Sequence, residues 1–430
     1  MSMYSQVLIN LFIENKVIPG RSIVELKKGK EVFTGLLLPR PYFGDPNSLV
    51  IKLDSGYNIG VKYSESVTLK KIKDVKPKQI KSKAKQNKKL PKISIIGTGG
   101  TIMSKLDYTT GGVSPLLTEE EVLSAVPELS SLANIKIVKL FDVFSENFEA
   151  ELYPKLAKAI SKEIKNGAEG VVVMHGTDTM HYTSAMLTFM FENPKVPIVI
   201  TGSQRSTDRG SSDSYMNLIW GVKAATSNIA EVMICMHGTE SDDICYLLPG
   251  TNTRKFHTSR RDAFRNIREP IAQIDKDLKV KGISSYRMKG GKLKVDTKIE
   301  PNVELIKVYP GVSLDIPKKA EGLVIEGTGL GHVPYYFYEK LKKFGGVKFM
   351  TSQCIFGRVN MDVYSSGREL QKVGVIGNLL DMTPETALMK LMWVMGQTKE
   401  PKKIKELMET NLRGELSKRT DENWYWEQTK

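Results

Sequence analysis

Three short turns in this sequence place a threonine next to glycine directly after an apolar run. They are Thr98-Gly99-Gly100-Thr101, His175-Gly176-Thr177-Asp178 and His237-Gly238-Thr239-Glu240. The apolar runs before them are typical of buried strands. Because the carboxyl ends of parallel strands meet at the edge of a sheet where ligands bind, we expect Thr101 and Thr177 to lie close together.

A threonine hydroxyl attacks a carbonyl carbon only when a base accepts its proton and hydrogen-bond donors stabilise the resulting oxyanion. Backbone N–H groups of glycine-rich turns can supply the donors. The base is either Asp178 or a lysine made neutral by burial. The residue types alone therefore leave two alternatives open: a nucleophilic threonine, or Gly-Thr turns with a purely structural role, which are common.

Other site chemistries fit the sequence less well. The first turn lacks the third spaced glycine of a dinucleotide fingerprint. The acid at the end of the second predicted strand, Asp142, lies 43 residues after Gly99 instead of about 20. The sequence contains no Walker A motif, and its five histidines form no HExxH motif. We interpret His175 and His237 as strand-end residues whose ring nitrogens are hydrogen-bonded.

Length and composition indicate an ordinary globular protein of two or three domains. The chain has 430 residues, of which 40% are hydrophobic and 26% charged. It has no apolar run long enough to span a membrane, and we predict no signal peptide. Three cysteines without a CxxC pair favour a reducing, cytoplasmic location over a disulfide or zinc framework.

The formal net charge of +15 is concentrated in one segment. Residues 70–92 contain eleven lysines and one acid, Asp74, which gives +10 and leaves 15 − 10 = +5 for the rest. The segment 76–91 is predicted to be a basic linker. It is either a solvated spacer or a tether that also contacts an RNA backbone or an acidic partner.

Residues 1–75 are predicted to form a small all-β barrel, since short β-rich runs alternate with glycine and proline turns. The runs are 22–26, 32–38, 48–53, 57–61 and 67–69. This unit carries no catalytic constellation. Its function is either docking or RNA contact, or it is a passive spacer.

From residue 92 onward, strand and helix patterns alternate, which predicts a mostly parallel sheet covered on both faces. Residues 92–290 are predicted to form the first α/β domain, and residues 305–430 a second, smaller one. Predicted strands are 92–97, 135–144, 170–175, 196–202, 231–237, 304–309, 322–325 and 347–351. Predicted helices begin at Thr118 or span 151–167, 184–191, 215–226, 333–344, 383–395 and 404–412.

The motifs Thr98-Gly99-Gly100-Thr101-Ile102 and His175-Gly176-Thr177-Asp178-Thr179-Met180 resemble those of the bacterial-type L-asparaginase/glutaminase family. The resemblance covers roughly residues 92–430. It implies a two-domain asparaginase-like amidohydrolase with a parallel sheet in each domain, assembled at least as a dimer. It also implies amide hydrolysis by a threonine nucleophile, with no cofactor and no metal in this chain.

By motif match, Thr101 resembles the nucleophile that forms the acyl-enzyme, and Thr177 resembles the second catalytic threonine. Lys255 resembles the lysine that works through Thr177. Asp178 resembles the carboxylate that holds the substrate's α-ammonium group, a charge-assisted contact.

Two further residues correspond to substrate-binding positions of the family. Ser145 resembles the residue that binds the α-carboxylate, and Tyr108 resembles the tyrosine of a mobile lid. The segment between Thr101 and Tyr108 is shorter than in plain asparaginases. Leu330 stands where many asparaginases carry a polar residue, which bears on the choice between asparagine and glutamine.

The barrel and linker put about 90 residues before the first motif, whereas plain asparaginases begin near it. This layout is similar to a subfamily of amidohydrolase subunits in archaeal glutamyl-tRNA(Gln) amidotransferases. The resemblance implies a homodimer core in a heterotetramer. The partner E subunit would bind Glu-tRNA(Gln) and use ATP and Mg²⁺, while this chain releases ammonia from glutamine or asparagine. The alternatives are a free-standing cytoplasmic L-asparaginase and a non-catalytic scaffold.

Overall fold

The computed structural model describes residues 4–39, 45–53, 58–74, 87–99, 104–106, 113–115, 121–123, 126–205 and 212–419. In these ranges no helix is both long and apolar enough to cross a membrane. Three units follow one another along the chain: an N-terminal antiparallel sheet and two α/β domains.

In the described residues of the N-terminal unit there are one helix and five strands. The five strands form a single antiparallel sheet with the order β4-β3-β2-β1-β5. The elements are α1 (Gln6–Glu14), β1 (Ser22–Lys28), β2 (Glu31–Leu37), β3 (Ser48–Leu53), β4 (Asn58–Lys62) and β5 (Val67–Asp74). The strands follow the β-rich runs of the sequence. Helix α1 was not predicted, and it buries Leu8 and Phe12, four residues apart, in the core of this unit.

The first α/β domain is built on an eight-stranded sheet with the order β18-β17-β14-β13-β12-β10-β6-β9. Its strands, with the short pairs beside them, are β6 (Lys92–Gly97), β7 (Ser104–Leu106), β8 (Val113–Pro115), β9 (Asn134–Lys139), β10 (Gly170–Met174), β11 (Phe191–Asn193), β12 (Ile198–Thr201), β13 (Val232–His237), β14 (Ile244–Pro249), β15 (Thr253–Lys255), β16 (Phe264–Asn266), β17 (Ala272–Asp275), β18 (Val280–Gly282) and β19 (Lys294–Val295).

The five predicted strands of this domain form the parallel part of the sheet, β13 to β9. The other three strands continue the sheet in antiparallel fashion. The expectation of a mostly parallel sheet therefore holds for one side of the sheet, and the antiparallel extension is an addition to it.

Helices cover both faces of this sheet: α2 (Leu129–Leu132), α3 (Leu152–Lys165), α4 (Met180–Met190) and α5 (Ser214–Thr226). Residues 121–123 are also helical. Successive side chains of a strand point to opposite faces. Accordingly Val171 and Val173 join the core formed with α3 and α4, whereas Val172 joins the core that contains Trp220 of α5. Burial on both faces explains the uninterrupted apolar run of β10.

The second α/β domain has a four-stranded parallel sheet and four helices. They are β20 (Val303–Lys307), β21 (Gly322–Gly327), β22 (Val347–Ser352), β23 (Val375–Ile376), α6 (Phe337–Lys343), α7 (Ser365–Lys372), α8 (Pro384–Gln397) and α9 (Pro401–Glu409). Helix α8 packs on α4 of the first domain, and Phe189 stacks on Trp393 with ring centroids 6.3 Å apart. The two α/β domains thus share one hydrophobic core.

Candidate active site

Lys255 brings two of the predicted catalytic residues together. Its Nζ atom donates to Thr177 Oγ1 at 2.9 Å and to Asp178 Oδ1 at 2.7 Å. The lysine side chain is only 12% exposed, whereas the side chain of Asp178 is 64% exposed. The buried amine is therefore held beside a hydroxyl, and the carboxylate remains open to a ligand from solvent.

The three residues come from two parts of the fold: the turn after β10 and the short strand β15. Thr177 and Asp178 lie in the turn between β10 and α4, at the carboxyl end of a fully buried strand. Lys255 ends β15, which pairs with β16 in antiparallel fashion. Asn266 of β16 donates to Thr253 Oγ1 at 2.8 Å and so helps to fix the short strand that carries the lysine.

Ser145 lies next to the same turn, in a short 3₁₀ turn after β9. It is buried, and its carbonyl oxygen accepts a hydrogen bond from Thr179 Oγ1 at 2.6 Å. A Cβ atom at Gly176 would lie 2.7 Å from both Cβ and Oγ of Ser145. Glycine at 176 is therefore required for Ser145 to approach the turn that carries Thr177.

The first motif begins at the end of β6. Thr98 is buried, and its N–H and its hydroxyl both donate to the carbonyl of Met174 in β10, at 3.1 and 2.9 Å. Gly99 adopts a φ of +109°, and a Cβ atom there would lie 2.3 Å from the Val143 carbonyl oxygen. The hydroxyl of Thr98 thus has a structural role. Thr101 and Tyr108 lie outside the described residues, as does most of the predicted linker.

Burial keeps the histidines next to the site neutral. His175 is completely enclosed, and burial lowers its pKa to about 4; Thr183 Oγ1 and the Gly176 carbonyl contact its two ring nitrogens. Burial also lowers the pKa of His181 to about 4, and the positive charges of Arg254 and Lys255 lower it further. The cation that contacts Asp178 is therefore Lys255 rather than a histidine.

The third Gly-Thr turn has only structural contacts in the described residues. His237 Nδ1 and Nε2 lie 2.6 Å from Asn217 Oδ1 and 2.8 Å from Asp242 Oδ1. Thr239 bonds to Asp243 in its own turn. The interpretation of His175 and His237 as hydrogen-bonded strand-end residues is confirmed.

Two residues in or directly before β15, the strand that carries Lys255, were missed by the sequence reasoning. Arg254 Nε lies 3.0 Å from Oε1 of Glu385, a buried residue in the first turn of α8. Asn252, with a φ of +58°, receives a hydrogen bond from Thr383 N and donates to Thr386 Oγ1 and the Glu415 carbonyl. The motif Thr383-Pro384-Glu385 signals a helix start, so its proximity to Lys255 could not be read from spacing.

The described residues contain no cluster of three or more histidine, cysteine, aspartate and glutamate side chains arranged to bind a metal ion. Cys235 and Cys245 are free thiols with sulfur atoms 3.6 Å apart on neighbouring strands.

Comparison with known proteins finds matches in all three units of the chain. Family models match three segments: Asparaginase, N-terminal, over residues 92–285; Glutaminase/Asparaginase C-terminal domain over residues 302–408; and GatD N-terminal domain over residues 20–72. The L-asparaginase of Thermococcus kodakarensis superimposes with a TM-score of 0.68 at 29% identity, covering 76% of this chain and 100% of that one. L-asparaginase I of Vibrio cholerae gives 0.65 at 28% identity, covering 76% of this chain and 99% of that one.

The fold and the two family models over residues 92–408 define an asparaginase-type α/β amidohydrolase. Curated relatives extend the likeness to the N-terminal unit. The D subunit of glutamyl-tRNA(Gln) amidotransferase from Pyrococcus furiosus is 45% identical over 418 residues, which cover 94% of this chain and 95% of the relative. The corresponding D subunit from Methanosphaera stadtmanae is 44% identical over 433 residues, covering 96% and 97%. This chain belongs to the family of glutamyl-tRNA(Gln) amidotransferase D subunits.

Proposed function

We propose that this chain is the ammonia-releasing amidohydrolase component of a glutamine-dependent tRNA amidotransferase. The observation that carries the proposal is the contact of Lys255 with Thr177 and Asp178, in a chain whose relatives over more than nine-tenths of its length are amidotransferase D subunits. A threonine nucleophile needs an adjacent group that can accept its proton, and the largely buried amine of Lys255 beside a hydroxyl supports this assignment.

In the proposed reaction, Thr101 attacks the side-chain carboxamide carbon of glutamine. The proton of the attacking hydroxyl passes to the leaving nitrogen, ammonia departs, and a glutamyl ester remains on Thr101. Water then hydrolyses this ester and releases glutamate. Lys255 acts as base through Thr177, to which it is hydrogen-bonded at 2.9 Å.

Two residues would bind the amino-acid part of the substrate. The open carboxylate of Asp178 accepts the α-ammonium group, and Ser145 contacts the α-carboxylate. Tyr108 is proposed to close over the bound amino acid.

The ammonia serves a second active site. We propose that a partner protein, the E subunit of the amidotransferase, binds Glu-tRNA(Gln), uses ATP and Mg²⁺ to activate the glutamyl ester, and converts it to Gln-tRNA(Gln) with the ammonia. The assembly is proposed to be a heterotetramer around a homodimer of this chain, and it acts in the cytoplasm.

The division of labour predicts different substrate requirements for two reactions. Thr101→Ala should abolish ammonia release from glutamine, because the nucleophile is lost. The assembled complex should still form Gln-tRNA(Gln) when ammonium is supplied, since the partner's site is intact. Amidation would be measured by the amount of glutaminyl-tRNA formed; loss of ammonium-driven amidation would contradict the proposal.

A free-standing asparaginase is the second candidate, favoured by the structural likeness to L-asparaginases. The two functions differ in how the chain responds to its partner. For an amidotransferase component, ammonia release from glutamine is weak in the free chain and rises with partner and Glu-tRNA(Gln). Equal, high rates on asparagine with and without the partner would support the asparaginase instead.

A further inference from the structure

The ion pair between Arg254 and Glu385 links the second α/β domain to the strand that carries Lys255. Arg254 precedes Lys255 in β15, and Glu385 lies in the first turn of α8. Successive side chains of a strand point in opposite directions. One residue of β15 therefore contacts Thr177 while its neighbour contacts the other domain.

We propose that Arg254 and Glu385 are a positioning pair for Lys255, through which the second domain controls turnover at the site. The proposal rests on the function assigned above to Lys255. A three-residue strand has few backbone hydrogen bonds to fix its direction. The carboxylate that holds Arg254 consequently also fixes the direction in which Lys255 points.

The burial of the pair makes this restraint strong. Glu385 is 4% exposed, and the side chain of Arg254 is 30% exposed. Burial raises the pKa of Glu385, and the charge of Arg254 opposes this rise. The position of Glu385 in the first turn of a helix further favours its anionic form. A carboxylate in such surroundings requires its cationic partner, and the pair is held in one geometry.

Among the charged groups around the pair, Glu385 is the main counterion of Arg254. The neutral ring of His181 lies within electrostatic reach of both Arg254 and Lys255. Asp178 is bonded to Lys255, and Glu326 is paired with Lys307 at 2.9 Å. Without the charge of Glu385, Arg254 would remain a partly buried cation next to a second cation, and β15 would be displaced.

Other contacts between the domains offer a matched control. Arg268 Nη2 lies 3.4 Å from Asp381 Oδ1. Arg268 follows β16, the strand that pairs with β15, and Asp381 precedes α8, so this pair joins the same two domains at a greater distance along the chain from Lys255. Asp381→Asn therefore weakens an ion pair between the same domains without releasing β15.

The experiment measures kcat and KM for ammonia release from glutamine by the full-length chain, together with the thermal unfolding midpoint. Glu385→Gln should lower kcat about ten- to a hundredfold, since small misplacement of a catalytic group has effects of this size. Its KM should change less than about twofold. Asp381→Asn should retain kcat within about twofold even where its unfolding midpoint falls.

Arg254→Gln breaks the same pair from the more exposed side, and it decides the question if Glu385→Gln does not fold. The double variant should lose no more kcat than either single variant, because both act through one contact. Unchanged kcat in folded Glu385→Gln or Arg254→Gln, or an equal kcat loss in Asp381→Asn, would overturn the proposal. Lys255→Ala is measured in parallel: if it retains full activity, the function assigned to Lys255 fails as well.

Discussion

At the scale of single residues, the site consists of a buried amine, a hydroxyl and an exposed carboxylate. Thr177, Asp178 and Lys255 were predicted by motif match to the asparaginase family, and in the structure Lys255 lies within hydrogen-bond distance of the other two. Their catalytic roles remain predictions. Arg254 and His181 could not be found in the same way, since their nearness to Lys255 depends on how β15 and α4 pack.

The first prediction concerns the hydroxyl of Thr177. Thr177→Val keeps the shape of the side chain but removes the acceptor of the Lys255 hydrogen bond. We expect ammonia release from glutamine to fall at least about a hundredfold, the usual contribution of a general base. Thr188→Val, which removes a buried hydroxyl that bonds within α4, serves as the control for folding. A Thr177→Val variant with normal turnover would remove the hydroxyl from the mechanism.

The second prediction concerns pH. The pKa of His181 is about 4 in the folded protein and near its ordinary value of 6.5 in the unfolded chain. Between these values the unfolded chain binds a proton that the folded protein does not bind, so stability falls as the pH is lowered. From pH 7.5 to 5.0 the loss from this residue is about 2 kcal/mol.

Urea unfolding at both pH values, on wild type and His181→Leu, measures this loss. The variant should show a smaller drop in the free energy of unfolding than the wild type, by about 2 kcal/mol. Buried carboxylates with raised pKa, Glu231 and Glu385, act in the opposite direction in both proteins and cancel in the comparison. Equal drops in the two proteins would show that this histidine is not held neutral by burial.

At the scale of elements, buried strands could be predicted from the sequence and exposed ones could not. The apolar runs of β6, β10, β12 and β13 are buried along most of their length and were predicted. Strand β18 has only three residues, all exposed, and gives no periodic signal. Helix α7 was missed because its sequence, SSGRELQK, buries only Gly367 and Leu370.

The third prediction concerns an ion pair that joins α8 to the segment after α9. The side chains of Lys390 and Glu415 are 0% exposed, and Lys390 Nζ lies 2.5 Å from Glu415 Oε1. Glu415→Gln should reduce the free energy of unfolding by about 3–5 kcal/mol, because it leaves a buried, uncompensated ammonium. Chemical denaturation would measure this.

The double variant Lys390→Met with Glu415→Gln provides the control. It removes the buried charge together with its partner, and we therefore expect it to be more stable than Glu415→Gln alone. If the double variant is the less stable of the two, the ammonium of Lys390 is stabilised without Glu415 by the carbonyls of Met408 and Thr410, which accept its other hydrogen bonds.

At the scale of the whole molecule, the chain joins an amidohydrolase to an antiparallel-sheet unit through a lysine-rich segment. The match of residues 20–72 to an amidotransferase-type domain distinguishes this layout from plain asparaginases. This architecture could be predicted because composition changes abruptly at residues 70–92. The surfaces that contact a partner could not be predicted from the sequence, since exposed polar residues tolerate many arrangements.

The fourth prediction concerns the charge of that segment. Replacing Lys81, Lys83 and Lys85 with glutamine should weaken binding of the complex to Glu-tRNA(Gln), and the slope of log affinity against log salt should become shallower. The reason is that each lysine that contacts a phosphate releases counterions from the RNA, and fewer such contacts make the affinity less dependent on salt. Filter binding at several salt concentrations measures the slope, with Lys402, Lys403 and Lys405 of α9 as control positions. An unchanged slope would identify the segment as a solvated spacer.

The hydrogen bonds of Asn252 restrict how this protein can be recombined. Family models divide the amidohydrolase between residues 285 and 302, a natural crossover for domain exchange. Yet Asn252, on the first side of that division, bonds to Thr383, Thr386 and Glu415 on the other. A chimera that takes its second domain from a relative must therefore inherit those partners with it, or the loop leading to Lys255 loses its anchor. The unit of exchange in this fold is the pair of domains.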